Sequence, residues 1–244
     1  MADGRVDVDG RRSGAILLQG GGEMQPACRG MDEQLLSLAP PGPVVVVLGA
    51  ATPGPDHEHA ASRARRWYTD VARRPVEVTP HPEVDLDACV RAVGEAAVVV
   101  LPGGSPARLL DGLTGDGGRL ARALSEAHAG GAALSGASAG AMVLCARTVL
   151  PERRGGPGPA VTAGLGLVPG LAVVHDDGAR EPVWRDPDDP VGPRWGLPEA
   201  GGALVVDDTV RAVGRGAPRL LLAGASQVLP REAVPLPDLL GGRA

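Results

Sequence analysis

The sequence predicts an α/β protein built on a mostly parallel sheet with helices on both faces. Three observations carry this. Short apolar runs recur through the first half of the chain, and each is followed by apolar residues at helical spacing. Three of the runs stop at turns of small residues: Gly20-Gly21-Gly22, Pro102-Gly103-Gly104 and Gly136-Ala137-Ser138. Strand and helix in alternation make a doubly wound sheet, whose sites lie beyond the carboxyl ends of its strands.

The elements follow in order. Residues 15–18 form a first strand, stopped by glycines, and a helix carrying Met31, Leu35, Leu36 and Leu38 comes next. Residues 44–48 are wholly apolar, which suits a strand covered on both faces. Ala60, Ala64, Trp67, Tyr68 and Val71 predict a helix over 57–73, and residues 76–78 a third strand. Asp85 is placed to cap a helix over 85–93. Residues 97–101 are the fourth strand. Helical pieces over 106–113 and 118–129 follow, the first capped by Ser105 with Pro106 at its opening position. Residues 132–134 run into Ser138, and 141–146 continue as helix.

The second half is different. Residues 153–160 and 185–202 are rich in Gly, Pro and charge and predict loops. Strand-like pieces at 171–174, 203–206, 210–213 and 220–222 predict hairpins packed on the sheet edge. One domain over 14–235 is expected, with a polar tail at 1–13 and another tail at 236–244.

Composition narrows the function. The chain has 244 residues, 43% of them hydrophobic, enough for a core. Every basic residue is Arg, there is no Phe, and Gly and Pro abound, so motifs made only of Gly, Ala or Arg carry less weight. A net charge of -5 with scattered arginines argues against nucleic acid as a partner. Cys28, Cys89 and Cys145 are too few and too scattered for a disulfide framework or zinc ribbon, which suits a reducing cytoplasm. The N-terminus lacks the apolar segment of a signal peptide, and no apolar stretch is long enough to span a membrane.

The chemistry centres on Ser138. A serine hydroxyl needs exposure, a base within hydrogen-bond reach and donors for the developing oxyanion. A sharp strand-to-helix turn exposes the hydroxyl, and small flanking residues make the turn sterically possible. Gly136, Ala137, Ala139 and Gly140 supply them, following the G-x-S-x-G elbow. The Ala139 amide, at the helix start, is one oxyanion donor, and Gly104, where backbone can approach a substrate closely, is the second.

Of the five histidines only His175 follows Ser138, and it stands at a strand end, so it is the candidate base. Glu152 is the single acidic residue between them and the preferred orienting acid. Asp176 and Asp177 stay open as alternatives, although adjacent residues seldom reach the far side of the same ring. No metal or other cofactor is expected. Asp56-His57-Glu58-His59 lacks a further ligand cluster and reads as a helix's polar first turn capped by Asp56, and Gly20-Gly21-Gly22 lacks dinucleotide-loop spacing.

These residues resemble the peptidase S51 family, which includes dipeptidase E and cyanophycinase. The resemblance rests on Gly20 to Glu23, Leu101 to Gly104, the elbow Gly136 to Ala141, Gly164-Leu165-Gly166-Leu167 with His175 after it, and the stretch from Leu197 to Val205. It implies a flavodoxin-like, class I glutamine amidotransferase-like three-layer sandwich. It also implies a serine-type peptidase or amidohydrolase with the order Ser138, Glu152, His175, acting on a small peptide such as an aspartyl dipeptide or a cyanophycin-like chain. Ser105 stands where the family contacts substrate, and Arg180 or Arg185 would hold a substrate carboxylate bidentately. A homodimer is compatible with all of this. Two alternatives stay open: a non-catalytic small-molecule-binding protein of the same fold, and an α/β-hydrolase esterase.

Overall fold

The computed structural model describes residues 12–150, 160–177, 192–222 and 225–241. Strand β1 (Ile16–Gln19) leads through a turn to helix α1 (Arg29–Leu38). Then come β2 (Val44–Val46), α2 (Pro55–Ala72), β3 (Val76–Val78), α3 (Leu86–Glu95), β4 (Val98–Leu101), α4 (Pro106–Ala129), β5 (Ala133–Ala137) and α5 (Ala139–Leu144). The run α4 is two helices joined at a break, because Gly115 to Gly118 leave helical geometry. The chain continues as β6 (Arg147–Leu150), β7 (Ala160–Ala163), β8 (Leu171–Val174), β9 (Arg194–Leu197), β10 (Gly201–Val206), β11 (Thr209–Gly214), β12 (Arg219–Leu222), β13 (Ala225–Val228), β14 (Val234–Pro235) and α6 (Leu236–Leu239).

The main sheet has the order β14-β11-β10-β1-β5-β4-β2-β3, and β1 to β5 are parallel within it. The hairpin β10–β11 extends the sheet antiparallel to β1, with β14 at the edge, as expected for 203–206 and 210–213; 171–174 and 220–222, expected on the same edge, instead lie in a separate sheet as β8 and β12. Alternate residues along each strand enter opposite layers. Leu18, Val45, Val99 and Leu101 face one apolar cluster, with α3, α4 and α5 residues; Leu17, Val44, Val46, Val98 and Val100 face the other, with α1 and α2 residues. This is the period of two that a pleated strand imposes, with both faces covered. The architecture is the mostly parallel, flavodoxin-like sandwich.

Strand register aligns the site. Gln19 pairs with Ala137 across β1 and β5, and Leu101 with Gly136 across β4 and β5. The three small-residue turns therefore leave the sheet side by side. A second sheet, β13-β12-β9-β8, flanks them, and its parallel pairing of Val174 with Leu197 brings His175 and Pro198 out at one level.

Several local expectations are corrected. Residues 194–197, inside the expected loop 185–202, form β9. Its Trp195 is fully buried and its indole donates to the Pro169 carbonyl at 2.7 Å, an apolar anchor in a Pro- and Gly-rich context. Helix α2 begins after Gly54 with Pro55 in its first turn, so Asp56 lies inside the helix and does not cap it. Asp85 and Ser105 do cap, accepting from the amides of Ala88 and Arg108. Part of the expected C-terminal tail is the helical turn α6. Residues 1–11 of the N-terminal tail and residues 153–159 lie outside the described residues.

Candidate active site

Ser138 is the hinge between β5 and α5. Its backbone sits at φ 48°, ψ −112°, a region that costs a non-glycine residue about 1–3 kcal/mol. Its neighbours hold it there: the Ser138 amide donates to the Gln19 carbonyl at 2.9 Å, and the Ser138 carbonyl accepts from Met142 at 3.0 Å. The turn needs its glycines. A Cβ on Gly136 would stand 2.6 Å from the Gly140 backbone, closer than any real contact.

The Ser138 Oγ lies 2.9 Å from His175 Nε2, and His175 Nδ1 lies 2.5 Å from Glu199 Oε1. A carboxylate accepts and cannot donate, so Nδ1 carries the proton and Nε2 presents its lone pair to the serine hydroxyl. His175 also adopts positive φ, 55°. The ring and the carboxylate are both about half exposed.

Three consecutive carbonyls at the end of β1 gather these groups. Gln19 accepts from Ser138 (2.9 Å), Gly20 from His175 (3.0 Å) and Gly21 from Ala200, next to Glu199 (3.0 Å). The glycines there leave room for the side chains. A Cβ on Gly21 would lie 2.6 Å from His175 Nδ1, and one on Gly22 2.7 Å from Glu199 Oε2. Gly21 and Gly22 also have positive φ, 144° and 71°, which glycine adopts without penalty. The triple glycine is thus a backbone hub that positions the Ser138, His175 and Glu199 segments together.

Gly104 and Ala139 are the candidate oxyanion donors. Neither the Gly104 nor the Ala139 amide donates a hydrogen bond among the described residues, so both are available to a substrate oxygen. Gly104 has φ 139°, and a Cβ there would lie 2.6 Å from the Ala50 carbonyl oxygen. The adjacent Gly103 amide is already taken, donating to Glu23 Oε1 at 2.9 Å. Ser105 is exposed beside this turn, with its hydroxyl accepting from the Arg108 amide at 3.3 Å.

Beneath the hub lies a buried polar cluster. The Gln19 side-chain amide donates to Asp32 Oδ1 (2.9 Å) and to Ser135 Oγ (3.1 Å), and the Trp67 indole donates to Asp32 Oδ2 (2.7 Å). Burial pushes the Asp32 carboxyl up to about 6, against the pull of those two donors. Burial likewise pushes the Cys28 thiol up to about 11 and Cys145 to about 12, which leaves both as poor nucleophiles.

The structure brings Ser138, His175, Gly104 and Ala139 together, with Ser105 at the rim. Glu152, Arg180 and Arg185 lie outside the described residues. The expected position of Glu152 against the imidazole is occupied by Glu199. Of the alternatives, Asp176 turns away to a bidentate pair with Arg219, accepting from Nε at 3.1 Å and from Nη2 at 2.8 Å, and Asp177 is exposed on the loop after it. Glu199 is not among the sequence candidates because it follows the histidine by 24 residues. Its signal is its place in the Leu197–Val205 stretch, which ties it to the family pattern. His57 packs edge-on against His81, with ring centres 5.7 Å apart, and among the described residues no group of three or more His, Cys, Asp or Glu is placed to hold a metal. No helix there is long and apolar enough to cross a membrane.

No curated protein matches the chain. Among solved structures, a peptidase from an acI-B1 Actinobacterium is similar at 22% identity and TM-score 0.75, over 91% of this chain and 97% of that one. A putative peptidase E protein from Listeria monocytogenes EGD-e is similar at 12% identity and TM-score 0.61, over 84% and 100%. These likenesses show the fold. The sequence model of peptidase family S51 matches residues 16–186, more than half the chain, and covers the elbow and His175. The chain belongs to peptidase family S51.

Proposed function

We propose that this peptidase is a serine hydrolase that cleaves a small peptide through Ser138, His175 and Glu199. The observation that carries the reading is the continuous contact from Ser138 Oγ to His175 Nε2 and from Nδ1 to Glu199. In the first step His175 takes the hydroxyl proton as Ser138 Oγ bonds to the scissile carbonyl carbon. The Gly104 and Ala139 amides receive the oxyanion. The carbon–nitrogen bond then breaks, and His175 returns the proton to the leaving amine. Water, deprotonated by the same imidazole, hydrolyses the acyl-enzyme and restores the serine. Glu199 keeps Nδ1 protonated and stabilises the imidazolium. The order Ser, His, Glu along the chain departs from the Ser, acid, His order of α/β-hydrolases, which disfavours the esterase alternative.

The proposed substrate class is a short peptide such as an aspartyl dipeptide, in keeping with the peptidase E name of one structural neighbour. A fluorophosphonate should label wild-type Ser138, fail on Ser138→Ala and label His175→Ala more slowly. Equal labelling of wild type and Ser138→Ala would sink the reading.

A further inference from the structure

Arg219 stands outside the contacts of Ser138, His175 and Glu199, yet it is tied to the base. It opens β12, two strands away from β8, whose end carries His175. In the sheet register Arg219 pairs with Gly196, and Gly196 pairs with Val173. Gly196 has no side chain, and a Cβ there would collide with Asp176 Oδ2. The Arg219 guanidinium and the Asp176 carboxylate therefore meet over the β9 backbone. Nε donates to Oδ2 at 3.1 Å and Nη2 to Oδ1 at 2.8 Å, and the two side chains are 23% and 4% exposed.

Asp176 is the residue after His175. His175 stands at φ 55°, a region that a non-glycine residue keeps only where its surroundings over-determine it. Its amide is fixed to the Gly20 carbonyl and the Asp176 amide to the Leu197 carbonyl, both at 3.0 Å. The Asp176 side chain adds a third restraint on the same turn. A buried ion pair adds little net stability over apolar residues of the same volume, but a bidentate Arg–carboxylate pair fixes direction as well as distance. Released from Arg219, the Asp176 carboxylate would be a second acceptor one residue from the ring, in competition with Glu199 for the Nδ1 proton.

We infer that Arg219 is a positioning residue for the base: by holding Asp176 across β9 it locks the backbone turn at His175 and leaves Glu199 as the carboxylate on Nδ1. This rests on the serine-hydrolase reading and adds to it a residue that touches neither substrate nor nucleophile. The small second sheet is then more than a support for His175, since its third strand sets the direction of the ring.

The test pairs Arg219→Ala with ethylguanidinium, which replaces the atoms removed. A fluorophosphonate reports on the base: Ser138 Oγ bonds to phosphorus, fluoride leaves, and the hydroxyl proton passes to His175. Labelling rates are read by intact mass at a temperature where thermal unfolding shows the variant folded. Arg219→Ala should label about 10²-fold more slowly than wild type, the cost of an ångström of misplacement. Ethylguanidinium should restore that rate about tenfold or more, and propylammonium, a cation without the planar fork, should not. The low-field proton resonance of His175 Nδ1 on Glu199 should disappear in the variant and return with ethylguanidinium. A folded Arg219→Ala that labels at the wild-type rate overturns the inference. A loss that ethylguanidinium repairs no better than propylammonium also overturns it. If Arg219→Ala does not fold, Asp176→Asn takes its place: slower labelling supports the inference and the wild-type rate overturns it. No labelling of wild-type Ser138 removes the hydrolase reading itself, whereas equal labelling of wild type and Arg219→Ala removes this inference alone.

Discussion

The two halves of the active site are built differently. The proposed nucleophile comes from the parallel half, where β5 is buried on both faces and the Ser138 turn is clamped by Gln19, Gly136 and Gly140. The imidazole and its carboxylate come from the small second sheet, stand about half exposed, and are held by backbone hydrogen bonds to Gly20 and Gly21. One half is positioned by dense local packing, the other by long-range hydrogen bonds to a single glycine turn. Chemistry should therefore be most fragile in the second half, and folding in the first.

The sharpest break of that comparison is at Glu199. Glu199→Gln should lower kcat on the order of 10³-fold by losing the tautomer control, a value below that of fully buried triads because the side chain is exposed. Stability should stay within about 0.5 kcal/mol, as for other exposed positions. Steady-state kinetics beside thermal unfolding reads both. Glu152→Gln is the matched comparison and should leave kcat near the wild-type value; a large loss there with none at Glu199 would return the acid role to Glu152.

Next in size is Gly21→Ala. Its methyl group must displace the His175 ring, and an ångström of misplacement costs about 10²-fold in kcat/KM. The φ of 144° adds backbone strain and some loss of stability, but the variant should still fold, because the clash is with a half-exposed side chain. Wild-type activity in a folded Gly21→Ala protein would show that the hub does not position the imidazole.

The smallest effect belongs to the buried half. The Asp32 carboxyl binds its proton more tightly in the folded chain, at about 6, than unfolded, where it keeps the ordinary carboxyl value of 3.8. An acid with a raised folded pKa favours folding while protonated, so this contribution is present at low pH and lost as pH rises from about 4 to about 6. The loss should be on the order of 2–3 kcal/mol. Asp32→Asn should remove it, so denaturant titrations should find the variant gaining on wild type across that window and level with it in slope above. A constant difference between the two proteins from pH 4 to 7 would contradict the shift.

Much of the parallel half was legible in the chain. Residues 44–48 and 97–101 are apolar throughout and so specify strands covered on both faces, and Ser105-Pro106 and Asp85 mark helix starts by capping chemistry that works over three residues. The second sheet was less legible. β9 holds one buried aromatic among Pro, Gly and Arg, and its strand character comes from pairing with β8 and β12, not from its own pattern. Asp176 beside His175 looks in sequence like a partner for the ring, yet Arg219, 43 residues later, takes it.

Ser138, His175 and the glycine turns stand out in the sequence because an elbow, a strand end and a tight turn are local patterns with local steric causes. The carboxylate that meets His175 in the structure does not. Glu199 reaches His175 because Val174 pairs with Leu197, the chain then turns at Ala200, and the Ala200 amide closes on Gly21. Each of those contacts joins residues distant in the chain, and a carboxylate's role at such a meeting point is decided by which strands pair, a choice made by the packing of the whole molecule.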